Sequence, residues 1–193
     1  MFAPAFGDRI MTHPLHTLKH EHRVIERALR ALDGVCTRLE WGQHVPAEVL
    51  LQLVDFISTF ADRYHHGKEE TYLFPALQKE GIPRDGALAS LEHEHQIESN
   101  LAGEMRLATE EYRSVDPAAR QRFIDAARRY TNHLLGHIER EDSILFMLAD
   151  EILDEDDKAS LREGFKRAEA ELGAGASEKY DRIASALEEQ WAV

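Results

Sequence analysis

Two segments of this chain repeat a His-x-x-x-Glu spacing, His65 to Glu69 and His137 to Glu141. Two others carry a Glu-His pair behind an earlier histidine, His20-Glu21-His22 and His93-Glu94-His95. Eleven histidines in 193 residues is unusual, and most of them fall in these four clusters. Imidazole and carboxylate groups at this spacing can bind metal, because a His and a Glu four apart lie on one helix face and reach one centre. Mixed donors of this kind suit iron, manganese or zinc, whereas calcium and magnesium prefer oxygen throughout. Cys36 is the only cysteine, so one chain cannot build a disulfide, a thiolate zinc site or an iron–sulfur cluster.

Helical phase selects among the histidines, since each residue turns the side chain by about 100°. His22 sits in the apolar series Leu15, Leu18, Ile25, Leu29 and Leu32, with His20 about 200° away. His95 falls in the arc of Leu88, Leu91, Ala102 and Met105, and His93 at or beyond its edge. His65 and Glu69 lie within the arc of Val54, Ile57, Ala61, Tyr72 and Ala76, which leaves His66 and Glu70 facing solvent. Tyr130, Leu134, Leu145 and Leu148 surround His137 and Glu141, with His133 on the inner edge as a reserve ligand. A lone histidine on an apolar stripe is more often a hydrogen-bonded core residue, and a single His-x-x-x-Glu pair more often an exposed ion pair. Four imidazoles and two carboxylates in one core are different, because unpaired buried carboxylates cost several kcal/mol each and require a compensating cation. The candidate metal ligands are therefore His22, His65, Glu69, His95, His137 and Glu141. Two carboxylates from opposed helices can bridge two ions, with iron the first choice and manganese and zinc behind it. Tyr72 and Tyr130 share the phase of their ligand pairs, so a phenol could approach the metals, although ordinary core tyrosines are the simpler reading.

The elements that must position these groups are helices. Only six prolines and eleven glycines, beside abundant Ala, Leu, Glu and Arg, predict an all-α fold. Thr12 with Pro14 opens a helix to about 41, Gly42 and Pro46 precede a second over about 46–74, kinked onward to Lys79, and Asp85 caps a third to about Tyr112. Asp116-Pro117 starts a fourth helix that runs to about 152. The acidic run Asp154 to Asp157 opens a fifth amphipathic helix, and a sixth follows Gly173 to Ser177. Residues 12–152 form the metal-binding unit; 153–193 form an extension that packs on its outside or makes a subunit contact, which leaves a homo-oligomer possible. The first half also repeats in the second: Leu18 to His22 matches Leu91 to His95, and His65 to Phe74 matches His137 to Phe146. Two similar hairpins would place the repeats face to face around a pseudo-twofold axis.

A formal charge of −13 with no basic stripe argues against nucleic acid and anionic membranes as partners. Met1 to Met11 shows no basic region followed by an apolar run, and no later stretch approaches a membrane span, so a soluble, unexported, cytoplasmic protein is expected.

The order His22, His65-x-x-x-Glu69, His95, His137-x-x-x-Glu141 resembles the hemerythrin-like, or HHE cation-binding, family over about residues 12–150. Glu21-His22-Arg23, Lys68-Glu69-Glu70 before Leu73-Phe74-Pro75, Glu94-His95, and His137-Ile138-Glu139 before Leu145-Phe146 strengthen the likeness. The resemblance implies an up-down-up-down four-helix bundle, here with two additional C-terminal helices, around a carboxylate- and solvent-bridged non-haem di-iron centre that reacts with oxygen, nitric oxide or peroxide. Met147 stands where proline often follows the second Leu-Phe. The invertebrate oxygen carriers of the family place five histidines at the metals, against four here unless His133 joins. Redox chemistry in the manner of an oxidase or a peroxide-detoxifying protein is therefore expected over reversible oxygen carriage, with an unidentified electron donor. The alternative is a non-catalytic oxygen or nitric oxide binding, sensing or iron-storage module. The phase assignment predicts that His95→Ala sharply lowers iron content while His93→Ala leaves it nearly intact; the reverse order in elemental analysis would overturn the third helix's orientation.

Overall fold

The computed structural model describes residues 13–113 and 117–193; the expected caps Thr12 and Asp116 lie outside the described residues. The described chain is all-helical. We number six helices: α1 (Pro14–Glu40), α2 (residues 47–79), α3 (residues 84–113), α4 (residues 117–152), α5 (Glu155–Leu172) and α6 (Ala176–Trp191). Pro14 starts α1, where its missing N–H costs nothing. Asp154 caps α5 by accepting from the backbone N–H groups of Asp156 (2.9 Å) and Asp157 (2.8 Å). At the start of α3, Asp85 does not cap a regular helix but lies inside a distorted first turn with Gly86.

Helices α2 and α4 are not regular throughout. Wide π-helical turns occupy Ile57–His66 and Glu69–Leu73 in α2, and Glu141–Leu145 in α4. Pro75 follows those of α2, and a widened turn relieves the clash between a proline ring and the preceding carbonyls. Yet α4 widens at the matching place although Met147 replaces that proline. Proline is thus not the common cause; the shared feature is the His-x-x-x-Glu segment itself, in line with the clustering of π-turns at functional sites.

Helix α1 packs against α2 and α4, and α3 against α2 and α4, so the four helices that carry the histidine clusters are neighbours in a ring. Two apolar clusters fill this bundle. One runs through Ile25, Leu29, Phe60, Met105, Phe123 and Leu134, the other through Leu18, Leu73, Phe74, Leu91, Leu145 and Phe146. Helix α5 closes the second cluster with Leu161 and Phe165. Helix α6 lies along α1, tied by Arg27 to Asp181 and by Arg30 to Glu188 (2.6 Å). No helix among the described residues is long and apolar enough to cross a membrane.

The α1–α6 contact is close because Gly34 has no side chain: a Cβ there would fall 1.9 Å from the Trp191 carbonyl oxygen. Gly34→Ala is expected to displace the end of α6 and to destabilise the fold by about 1–3 kcal/mol in urea unfolding; a loss below about 0.5 kcal/mol would show that the contact is loose.

Candidate metal centre

Each of four inward histidines is held from behind by a carboxylate on a neighbouring helix. His22 Nδ1 donates to Asp142 (2.9 Å), His65 Nδ1 to Glu21 (2.9 Å), His95 Nδ1 to Glu70 (2.7 Å) and His137 Nδ1 to Glu94 (2.8 Å). These bonds form a closed ring from α1 to α2, α2 to α3, α3 to α4 and α4 to α1. They also obey the internal repeat, Glu21 matching Glu94 and Glu70 matching Asp142. A second repeated contact covers the ring faces: His22 stacks on Phe146 (centroids 5.3 Å apart) and His95 on Phe74 (5.9 Å). The Phe of each Leu-Phe pair therefore seals a histidine of the adjacent helix, which gives that motif a physical role beyond apolar filling.

A carboxylate only accepts hydrogen bonds, so each clamp places an imidazole proton on Nδ1 and turns Nε2 inward, where the neutral ring offers a lone pair. Those four nitrogens meet the carboxylates of Glu69 and Glu141. Glu69 spans the cluster, with Oε1 3.5 Å from His65 Nε2 and Oε2 3.5 Å from His95 Nε2. Glu141 Oε2 lies 3.3 Å from His22 Nε2 and 3.2 Å from His137 Nε2. His95 Nε2 and His137 Nε2 face one another at 3.2 Å. All six residues are buried. They divide into two donor sets, His22, His65, Glu69, Glu141 and Glu69, His95, His137, Glu141, in each of which the donor atoms lie within 4.8 Å of one another. The two sets share both glutamates. Among the described residues, no hydrogen-bond donor is placed on either oxygen of Glu69 or of Glu141, and no partner on His22 Nε2 or His65 Nε2.

Acceptors facing acceptors in a dry core are repulsive unless positive charge lies between them. The acid–base pattern reflects that demand. Burial, with Glu141 and Glu21 nearby, pushes the Glu69 carboxyl well above its usual range. Burial also opposes ionisation of Glu141, but His137 and His22 outweigh it and hold that carboxyl low. Burial disfavours charge on His137 too, yet Glu141, Glu98 and Glu94 lift it to about 9. His65 is driven well below its ordinary value by burial and by the neighbouring imidazoles. Two cations shared by Glu69 and Glu141 would satisfy every one of these acceptors at once, so the residues present fit a two-metal centre.

The regular helical phase places His66 in solvent, and the structure corrects this: its side chain is 2% exposed, and a ring nitrogen lies within 4.8 Å of those of His95 and His137. The cause is the π-turn, which packs more residues into each turn than a 100° step allows and brings neighbours 65 and 66 both inward. His66 stacks flat on His95, with centroids 4.0 Å apart and planes 7° apart. Imidazole lone pairs lie in the ring plane, so this stack cannot aim both rings at one ion without turning His66. Its Nε2 lies 3.5 Å from Glu98 Oε2. Glu70 is exposed, as the phase predicts, yet its carboxylate reaches back to clamp His95. His133, the reserve ligand, is 28% exposed and donates to Glu98 (2.8 Å), outside both donor sets. Tyr72 packs on Phe165 and Gly164 of α5. Tyr130 is buried in the larger apolar cluster, with no partner for its hydroxyl among the described residues.

A family model, the hemerythrin HHE cation-binding domain, matches residues 13–149. The chain belongs to this family, and the buried His/Glu cluster is its metal-binding feature. Its curated relatives include uncharacterized proteins of Mycobacterium bovis and of two strains of Mycobacterium tuberculosis. Each is 30% identical over 129 residues, 67% of this chain and 50% of the relative, so the chain spans about half the length of the curated relatives it matches. No solved structure matches the chain.

Of the adjacent pair on α2, His65 belongs to a donor set that contains both glutamates, whereas His66 groups only with His95 and His137. His65→Ala is expected to lose most bound iron and His66→Ala to keep more than half, each checked for helicity. Equal loss in both variants would make His66 a resident ligand.

Proposed function

We propose that this chain holds two metal ions, iron by preference, between Glu69 and Glu141, and that it serves redox chemistry on oxygen, peroxide or nitric oxide. The observation that carries this reading is the inward convergence of four imidazoles and two carboxylates in one buried cluster, with no donor among the described residues on either carboxylate. The ring of helix contacts supports an up-down-up-down four-helix bundle as the scaffold, formed by residues 12–152. Zinc would suit the same donors but cannot change oxidation state, and manganese, which can, favours carboxylate and water oxygens over so many imidazoles. Bound at these residues, a di-iron centre would supply electrons to a small oxidant through positions the protein leaves open.

The residues themselves do the positioning. The clamps of Asp142, Glu21, Glu70 and Glu94 fix the tautomer and aim of each imidazole, so the lone pairs need not reorganise when an ion arrives. Glu69, with one oxygen toward each donor set, and Glu141, between His22 and His137, tie the two positions into one unit. Phe74 and Phe146 keep water from the ring faces, which strengthens every electrostatic contact inside.

A second reading, non-catalytic binding, sensing or iron storage, gains from His66. A fifth buried imidazole beside His95 and His137 brings the surroundings closer to an imidazole-saturated, dry site, which favours reversible binding over onward electron transfer. Elemental analysis after reconstitution with iron is expected to give two ions per chain, and a value that stays at one or zero would sink the two-metal reading. Stopped-flow absorbance of the reduced protein mixed with oxygen then separates the two functions. Irreversible passage to the oxidised spectrum supports redox chemistry, whereas a change that reverses under vacuum supports carriage or sensing.

A further inference from the structure

The pseudo-twofold pairing around the centre is broken at a position that is not itself one of the proposed ligands. Glu94, which clamps His137, is bound in turn by Arg140 (2.7 Å), whose side chain is 49% exposed. Its counterpart Glu21, which clamps His65, is bound by Lys68, and both side chains are 0% exposed. A lysine reaches zero exposure only when other groups replace the water around its ammonium. Here the face of Tyr64 lies 3.9 Å from Nζ and that of Phe165 5.0 Å from it. Phe165 belongs to α5, outside the residues matched by the family model.

Helix α5 is fixed in that place by specific contacts. Gly164 lets it approach so closely that a Cβ would fall 2.6 Å from the Tyr72 ring. Glu169 accepts from the Tyr64 hydroxyl (2.6 Å) and, with its other oxygen, from the Ser177 backbone N–H (3.2 Å) at the start of α6. A continuous line therefore runs from the C-terminal helices through Phe165 and Tyr64 to Lys68, Glu21, His65 and the donor set of His22 and His65.

We propose that Lys68 is a positioning residue for the metal held by His22 and His65, and that helix α5, through Phe165 and Glu169, keeps it in place, so that the C-terminal extension tunes one of the two metal positions. This rests on the two-metal reading. With Lys68 present, Glu21 has a cation on one oxygen and the His65 N–H on the other, and the imidazole is held in one orientation. Without it, Glu21 is a buried carboxylate left with one imidazole as its partner, an arrangement too costly for that single bond to offset, and the clamp on His65 loosens. The other position depends on Arg140 in water, where a lost ion pair counts for little.

The test is a Co2+ titration of the metal-free full-length protein, read by absorbance so that the d–d bands report the coordination of each ion. Wild type is compared with Lys68→Met, Phe165→Leu and Arg140→Met, and the equivalent lost in His22→Ala marks the near position. Lys68→Met is expected to weaken that equivalent by about 10–100-fold and to alter its bands, with the other equivalent changed far less. Phe165→Leu keeps the apolar volume but removes the aromatic face; it should weaken the same equivalent by a smaller factor. Arg140→Met should act on the opposite equivalent, and weakly. Equal weakening of both equivalents in Lys68→Met and Phe165→Leu, or no change in either variant, would overturn the proposal while leaving two-metal binding intact. Fewer than two equivalents in wild type would instead refute the two-metal reading and this proposal with it.

Discussion

The arrangement depends on one constraint: four imidazole rings and two carboxylates face each other in a buried core where, among the described residues, neither carboxylate is given a hydrogen-bond donor. Burying these groups without positive charge between them would cost more than the margin by which a domain of this size is stable. Everything around the cluster sharpens the constraint instead of relieving it. The outer carboxylates take the Nδ1 protons of the four imidazoles, the two phenylalanines cover ring faces, and the apolar clusters on either side limit hydration. A chain that merely tolerated buried histidines would let water or hydroxyl groups reach them. This one directs the Nε2 atoms of four histidines and the carboxylates of Glu69 and Glu141 toward a shared interior.

The internal repeat explains how one short pattern builds so complete a site. In each half, a residue next to a donor in sequence reaches across to clamp a donor on another helix: Glu21 beside His22, Glu70 beside Glu69, Glu94 beside His95 and Asp142 beside Glu141. A two-residue unit thus supplies both an inward ligand and an outward support. The departures from symmetry carry the individuality of this chain. His66 faces Ile138 across the repeat, so one donor set has an extra imidazole nearby. Lys68 faces Arg140, so one outer clamp is dry and the other wet. Two positions with the same ligand types are in this way placed in unlike surroundings.

Helical phase was sufficient to bring out much of this from the sequence. His22, His65, Glu69, His95, His137 and Glu141 fall on apolar faces at a regular 100° step, and the structure gathers those six residues. Several helices begin or end near the prolines and glycines that suggest them, although Asp85 lies inside a distorted turn and the expected caps Thr12 and Asp116 fall outside the described residues. His66 escaped because the regular step fails inside π-turns, and nothing in the residues Ile57 to Leu73 declares such a turn in advance. The four clamps escaped for a different reason: a charged residue beside an inward one reads as exposed, and Glu70 is exposed, yet its reach to His95 depends on how the helices pack. The link from α5 to Lys68 joins residues nearly a hundred positions apart, beyond what periodicity can convey. Membership of the hemerythrin HHE family accounts for residues 13–149 and leaves α5 and α6 to be understood from contacts alone.

The most direct measurement of the central claim is anomalous diffraction at the iron absorption edge from crystals of the reconstituted protein. The account predicts two peaks, both between Glu69 and Glu141, one on the side of His22 and His65 and the other on the side of His95 and His137. A single peak, peaks outside these two donor sets, or no peak in protein shown to be fully reconstituted would contradict it.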